Sequence, residues 1–282
     1  MAFRSYRATL NGVGIRWLEW GRPAAPTLLC VHGSFGVAES FTSFAARASS
    51  TYRIVAPDLR GHGGSDWVEG ADAYAPTQVA GDIAALVAHL GLASFHLVGL
   101  SLGGLVCCEY AGKHLDPVRS VTLVDIAPEV DAKVRAGLRS GPQYPASFAS
   151  LDAAVAWADA DGLWTQGPML RNDLATRLVQ QADGSFAWRT DQRFFTPAGR
   201  ARWLDDAARF WSGLERVSAP VLLMRAGRSP LLNDAIVASF SSRVKDAKVV
   251  TLPAAQHSIP ISDPDDFSNT LFGFLAEADG RR

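Results

Sequence analysis

The chain has 282 residues, 48% of them hydrophobic and 20% charged, and its 27 Lys and Arg against 28 Asp and Glu leave a formal net charge of -1. That length can bury one large core, and one domain carrying an insertion is more natural than several small domains. A charge near zero excludes the strongly basic surface that nucleic acid or an anionic membrane calls for, and no run of about 18 apolar residues marks a membrane span. The three cysteines, Cys30, Cys107 and Cys108, lie in apolar runs without Cys-x-x-Cys spacing. They read as buried thiols of a reducing compartment rather than as a disulfide or metal framework. Met1 to Leu10 carries Arg4 and Arg7 and lacks the apolar core of a signal peptide. The expectation is a cytoplasmic monomer or homodimer that acts on a small-molecule substrate, with no nucleic acid, membrane, metal or cofactor partner.

Two alternating segments, Tyr6–Leu10 and Gly14–Trp20, flank Asn11-Gly12 and predict a hairpin. Thr27–Val31 and Tyr52–Ala56 are apolar strands, ending at His32-Gly33 and Pro57-Asp58. Gln78–Leu90 repeats apolar residues at helical spacing and stops at Gly91. A strand over Phe95–Val98 precedes a helix over Leu102–His114, and Val118–Ile126 is a further strand. Val221–Arg225 and Lys248–Leu252 are two more strands, separated by a helix from about Asn233. Asp263–Ala276 closes the chain as a helix, with Asp263 as a plausible N-cap and Pro264 in its first turn.

Strands apolar on both faces that alternate with helices predict a mostly parallel eight-stranded sheet covered on both sides. Between Ile126 and Ala219 the rhythm breaks and no convincing strand is visible. Helical patterning there covers Leu151–Ala160, Met169–Gln181 and Pro197–Trp211. Residues 1–126 and 217–282 are therefore assigned to an α/β core, and 127–216 to a helical insertion. Ligands of parallel sheets bind beyond the C-terminal strand ends, so the insertion should roof the site.

The chemistry centres on Gly99-Leu100-Ser101-Leu102-Gly103, where a strand must turn sharply into a helix. A serine on such a turn has its hydroxyl pushed above the sheet edge, and the small flanking residues let strand and helix approach closely. A serine hydroxyl needs a base, and the base needs an orienting acid. Of the six histidines, His89, His96 and His114 fall within helices or a strand, and His32 and His62 within glycine-containing loops. His257 follows the last strand and can return over the sheet edge where Ser101 points, so it is the candidate base. The oxyanion of an acyl intermediate needs two backbone donors. Leu102, next after the serine, supplies one. Ser34, in the loop His32-Gly33-Ser34-Phe35-Gly36, is the first choice for the other and Phe35 the second.

Taken together, these segments and Asp58-Leu59-Arg60-Gly61-His62-Gly63-Gly64-Ser65 resemble the α/β-hydrolase fold family over essentially the whole chain, in the family's order and spacing. The resemblance implies hydrolysis through an acyl-enzyme, with the insertion as the family's helical cap and Asp58–Ser65 mainly as a structural turn. One departure is plain. The family usually carries its acid after the seventh strand, where this chain has Ser229 and Pro230, neither of which can ionise. Asp234 lies about one turn further, a displacement of roughly 6 Å along a helix. Asp125, ending an apolar strand beside the serine's strand, is the favoured acid, because a charge closing an apolar run needs a partner. Asp234 stays as its rival. The glycine that commonly precedes the histidine is replaced by Gln256.

The insertion holds Trp157, Trp164, Trp188, Trp203 and Trp211, with Arg135, Arg139, Arg171, Arg177, Arg189 and Arg193 nearly balanced by acidic residues. A largely apolar, aromatic pocket is the default expectation, with Phe35, Trp164 and Trp188 as candidate substrate contacts. The reading is a serine hydrolase that cleaves an ester, lactone or related acyl bond of a small, mostly apolar molecule. C–C bond hydrolysis, cofactor-free peroxidation with peracid formation and hydroxynitrile cleavage use the same three residues. A small-molecule sensor with a degenerate triad is the alternative from another class.

Overall fold

A computed structural model describes residues 3–70, 72–140, 144–161 and 167–280. The chain opens with the hairpin β1 (Arg4–Leu10) and β2 (Val13–Trp20). Asn11 and Gly12 both sit at positive φ, 51° and 76°, as a two-residue turn between twisted strands requires. There follow β3 (Thr27–Val31), α1 (Thr42–Ala48), β4 (Arg53–Pro57), α2 (Pro76–His89), β5 (Phe95–Leu100), α3 (Leu102–Ala111) and β6 (Val118–Val124). The next segment contains α4 (Ala132–Ser140), β7 (Ser147–Phe148), α5 (Leu151–Asp161), α6 (Pro168–Arg177), β8 (Leu178–Gln180), β9 (Phe186–Trp188), α7 (Pro197–Leu204) and α8 (Ala207–Leu214). The chain closes with β10 (Val221–Ala226), α9 (Asp234–Arg243), β11 (Ala247–Leu252), α10 (Ile259–Ser262) and α11 (Pro264–Gly280).

Eight strands form one sheet in the order β1-β2-β4-β3-β5-β6-β10-β11. All neighbours from β4 to β11 pair in parallel, while β2 runs antiparallel to both β1 and β4. The pleat sends alternate side chains to opposite faces, and two apolar cores result. Leu29, Val31, Leu97, Leu123 and Leu223 face one core, which α2, α3 and α8 complete. Leu28, Cys30, Val98, Val124, Leu222 and Met224 face the other, closed by Phe44 of α1 and Phe267, Leu271 and Phe274 of α11. The three cysteines are buried as free thiols in these layers, and burial pushes each thiol up, away from thiolate formation at neutral pH. Among the described residues no helix is long and apolar enough to cross a membrane.

The segment between β6 and β10 differs from its expected all-helical form. It contains a three-stranded antiparallel sheet, β7-β9-β8. The helix expected over Met169–Gln181 ends at Arg177, and Leu178–Gln180 pair with Phe186–Trp188 instead. Cross-strand pairing thus overrides the local helical pattern. The helix expected over Pro197–Trp211 is broken in two, with Asp206 capping α8 through the Arg209 N–H. The last helix, α8, packs on α3 so closely that a Cβ on Gly112 would overlap Gly213. It therefore packs with α3 against the sheet.

Candidate active site

Three strand ends carry the site. Of the four non-glycine residues at positive φ among those described, Phe35 (56°), Ser101 (53°) and Asp125 (49°) lie just beyond β3, β5 and β6. Such backbone is uncommon outside glycine and persists where surrounding structure over-determines it. At Ser101 the glycines do that work. A Cβ on Gly103 would overlap the Val31 carbonyl oxygen and stand 2.6 Å from that of His32, and one on Gly33 would stand 3.0 Å from the Ser101 Cβ. The Ser101 N–H donates to the Val124 carbonyl at 3.0 Å, so the serine's backbone is tied to the strand that carries Asp125.

Asp125 is fully buried. One carboxylate oxygen, Oδ1, accepts the Ala226 N–H at 2.9 Å, and Oδ2 stands 2.7 Å from His257 Nδ1. Its own N–H donates to Met224 at 2.7 Å. A buried carboxylate oriented by a backbone donor holds the imidazole ring by its Nδ1 and leaves the other ring nitrogen to face the cavity. Beyond β10, the Gly227 N–H donates to Leu252 and the Arg228 N–H to Ala255. Those two bonds fix the loop that delivers His257. Gly227 also passes so close to Pro253 that a Cβ would meet its carbonyl oxygen at 2.5 Å.

Asp234, the rival acid, is not at the histidine. Its side chain is 93% exposed and pairs with Arg225 at 2.6 Å. Asn233 caps α9 by accepting the Ile236 N–H, and the Ser229 hydroxyl accepts the Leu231 N–H at 3.3 Å. The sequence around Ser229 and Pro230 thus builds a turn and a helix start.

Ser101 and His257 line one cavity of about 170 Å³, together with Ser34, Phe35 and Leu102. Leu102 is the first residue of α3, so its N–H has no intrahelical acceptor. On the facing loop, the Gly36 N–H closes a turn on the Gly33 carbonyl at 2.9 Å, and Ser34 sits within that turn. The turn is braced from behind. Asp58, fully buried, accepts the Ala38 N–H at 2.7 Å, the Gly64 N–H at 2.8 Å and the Arg16 guanidinium at 2.6 Å. His32 Nε2 accepts the Leu59 N–H at 3.0 Å. Burial lowers His32 to about 4 and His62 to about 3, so both rings are neutral supports. The segment around Gly61 and Gly63 also docks the insertion. The Gly63 N–H donates to Arg189, the Asp191 N–H to Gly61, and the Tyr74 hydroxyl to Asp191.

Of the expected substrate contacts, Phe35 lines the cavity, its ring stacked on Phe195 at 3.7 Å and edge-on to Tyr144 at 4.7 Å. Trp188 is corrected: it lies behind Phe35, 4.6 Å from its ring, with its indole N–H on the Pro145 carbonyl, and does not line the cavity. Its position in the paired strand β9 turns it into packing. Trp164 lies outside the described residues. Two arginines, Arg177 and Arg200, do line the cavity. Arg200 escaped the sequence reading, although Arg200, Trp203 and Leu204 share one face of α7 at i, i+3 and i+4 spacing. No group of three His, Cys, Asp or Glu side chains suited to a metal ion occurs among the described residues.

The alpha/beta hydrolase fold family model matches residues 26–264, and the chain belongs to that family. Over 258 residues it is 29% identical to a 3-hydroxybutyrate-oligomer hydrolase of Cupriavidus necator, covering 87% of each chain. It is 27% identical to an esterase of Mycobacterium tuberculosis, across 92% of this chain and 85% of that one. A solved structure of E-2-(acetamidomethylene)succinate hydrolase superimposes with a TM-score of 0.85 at 26% identity, over 98% of this chain and all of the other. A hydrolase of the same activity from Mesorhizobium japonicum is 26% identical over 97% of this chain.

Proposed function

We propose that this α/β-hydrolase is a serine esterase that cleaves a carboxylic ester or lactone of a small molecule through an acyl-enzyme. The observation that carries the reading is the 2.7 Å contact between His257 Nδ1 and the fully buried Asp125, on the wall of the cavity that Ser101 enters from its elbow. In the first half-reaction, His257 Nε2 takes the Ser101 proton while Oγ bonds to the substrate carbonyl carbon. The oxyanion forms between the Leu102 and Ser34 N–H groups. The C–O bond to the leaving alcohol breaks, and His257 returns its proton to that oxygen. In the second half-reaction, water loses a proton to His257 and adds to the acyl carbon; the bond to Ser101 Oγ then breaks, His257 returns its proton to Oγ, and the carboxylic acid is left. Asp125 stabilises the imidazolium in both halves and keeps its proton state.

Two features support turnover over a sensor with a degenerate triad. The acid missing after β10 is replaced at the end of β6, so the Ser–His–Asp chain has all its members. The relatives are named as hydrolases and an esterase. A cavity of about 170 Å³ is below the usual ligand-pocket range of roughly 300–1,000 Å³, which favours a compact substrate. The test pairs labelling with turnover. The native chain should react with a fluorophosphonate probe and hydrolyse short 4-nitrophenyl esters. Ser101→Ala should lose labelling and about 10⁴-fold or more in kcat with its melting curve intact. An unlabelled native chain, or a Ser101→Ala variant within tenfold of native turnover, defeats the reading.

A further inference from the structure

Resting on the esterase reading, we propose that Phe195 is a positioning residue for catalysis: stacked on Phe35, it holds the oxyanion turn in a backbone form that the turn's own sequence disfavours. The turn is Gly33-Ser34-Phe35-Gly36, closed by the Gly36 N–H on the Gly33 carbonyl at 2.9 Å. Phe35 is its third residue, at φ 56°. A turn with positive φ at that place normally takes glycine or asparagine there, as the type II turn does. For a residue with a Cβ the left-handed region is unfavourable, so something outside the turn must keep Phe35 in it.

The ring of Phe35 supplies the hold. The direction of a Cα–Cβ bond is tied to the backbone, so a ring locked in a slot locks φ as well. Phe35 is buried, with Phe195 face to face at 3.7 Å and an interplanar angle of 4°, Trp188 at 4.6 Å and Tyr144 edge-on at 4.7 Å. These three rings all belong to the segment between β6 and β10. Phe195 covers the face of the Phe35 ring, and its own place is fixed from both sides. It ends the single helical turn Gln192–Phe195, which Asp191 caps by accepting the Arg193 N–H at 3.0 Å. Asp191 also donates its N–H to the Gly61 carbonyl at 2.8 Å. On the other side, Thr196 caps α7 by accepting the Gly199 N–H at 3.1 Å. The turn so held lies against the nucleophile, since a Cβ on Gly33 would stand 3.0 Å from the Ser101 Cβ. The Ser34 N–H, next along, is the second donor of the proposed reaction, and losing one such donor costs about 10²–10³ in kcat. A right-handed Phe35 would redraw the turn and carry Ser34 with it. The insertion thus sets the oxyanion site as well as lining the cavity.

A packing role alone and a positioning role differ at Phe35. Glycine adopts left-handed backbone freely, whereas alanine keeps the penalty of its Cβ and lacks the ring. With 4-nitrophenyl butanoate as substrate, kcat of Phe35→Gly should exceed that of Phe35→Ala at least threefold. Simple loss of packing gives the reverse order, because glycine adds chain entropy and removes one more contact. Phe195→Ala should lower kcat at least fivefold, with a smaller change in KM, and its cost should fall below threefold once Phe35 is replaced by glycine. Thermal melts identify the folded variants, and should Phe195→Ala not fold, the comparison of glycine with alanine at Phe35 decides. The proposal is overturned by a Phe35→Gly advantage below threefold, by a folded Phe195→Ala within fivefold of native, or by an equal cost of Phe195→Ala in both backgrounds. Failure of the esterase reading looks different: the native chain hydrolyses no ester and Ser101 takes no fluorophosphonate. The turn is then read without chemistry, in a crystal structure of Phe195→Ala. Phe35 leaving the left-handed region there supports the proposal, and Phe35 held at positive φ overturns it.

Discussion

Asp125→Asn isolates the least conventional part of the site. The side chain keeps its size, and the Ala226 N–H at 2.9 Å from Oδ1 fixes its orientation. A backbone N–H can only donate, so the new amide must present its oxygen to Ala226 and its NH₂ to His257. Nδ1 must then accept, and the ring proton moves to Nε2. That tautomer cannot take a proton from Ser101. The imidazolium of the transition state also loses a counter-charge. At a charge separation of about 4 Å and an effective dielectric of about 20, that is on the order of 4 kcal/mol, or about 10³-fold in rate. The tautomer penalty adds to it, so kcat/KM should fall by about 10³ to 10⁴. Asp234→Asn, at an exposed side chain paired with Arg225, should stay within threefold of native. Both variants are assayed with one 4-nitrophenyl ester, beside thermal melts that show each is folded. An Asp125→Asn enzyme within tenfold of native, or an equal collapse in Asp234→Asn, refutes the assignment.

Gly103→Ala should lower stability by more than about 3 kcal/mol or prevent folding, because the added methyl overlaps the Val31 carbonyl oxygen and meets that of His32 at 2.6 Å; urea unfolding close to native would contradict the tight elbow. The buried neutral pair His32 and His62, held at about 4 and about 3, makes a prediction of opposite reach. The unfolded chain titrates these rings near 6.5, so it binds protons that the folded chain refuses. Their contribution is full above about pH 6.5 and is lost as pH falls toward 4, by about 1.4 kcal/mol per unit for each ring. Urea unfolding at pH 7.5 and 5.0 should differ by roughly 4 kcal/mol, and His62→Gln should remove about half of that slope. A flat profile across this window would show that the rings do not titrate as buried groups.

The sheet was legible because each central strand is a short apolar run whose alternate residues feed two cores. The hairpin at Asn11-Gly12 and the elbow at Ser101 were legible because their backbone geometry demands particular residues. The insertion was less so. Nothing local distinguishes Leu178–Gln180 from a continued helix; pairing with Phe186–Trp188 decides it, and that is a long-range event. Trp188 shows the same limit at the site. An aromatic residue in the insertion could face the cavity or stand behind it, and strand register placed it behind Phe35. Arg200 was overlooked because its stretch is rich in charges of both signs, although the shared helix face with Trp203 and Leu204 was there to be read.

The position of Asp125 follows from how the strand ends are joined. Ser101 donates to the carbonyl of Val124, Asp125 donates to Met224, Gly227 donates to Leu252 and Arg228 donates to Ala255. These bonds run across β5, β6, β10 and the loop after β11, so Ser101, Asp125 and His257 hang from a single hydrogen-bonded rim. Along that rim β6 has what an acid needs. Its end turns at φ 49°, which releases the Asp125 side chain from the strand alternation, and the neighbouring Ala226 N–H is free of the β6 ladder to bind it. The end of β10 lacks this room. Gly227 lies against Pro253 with no space for a side chain, and Ser229 is spent on the turn into α9. A carboxylate at the end of β6 reaches the histidine across β10, and it does so with its second oxygen anchored to the very strand from which the acid is missing.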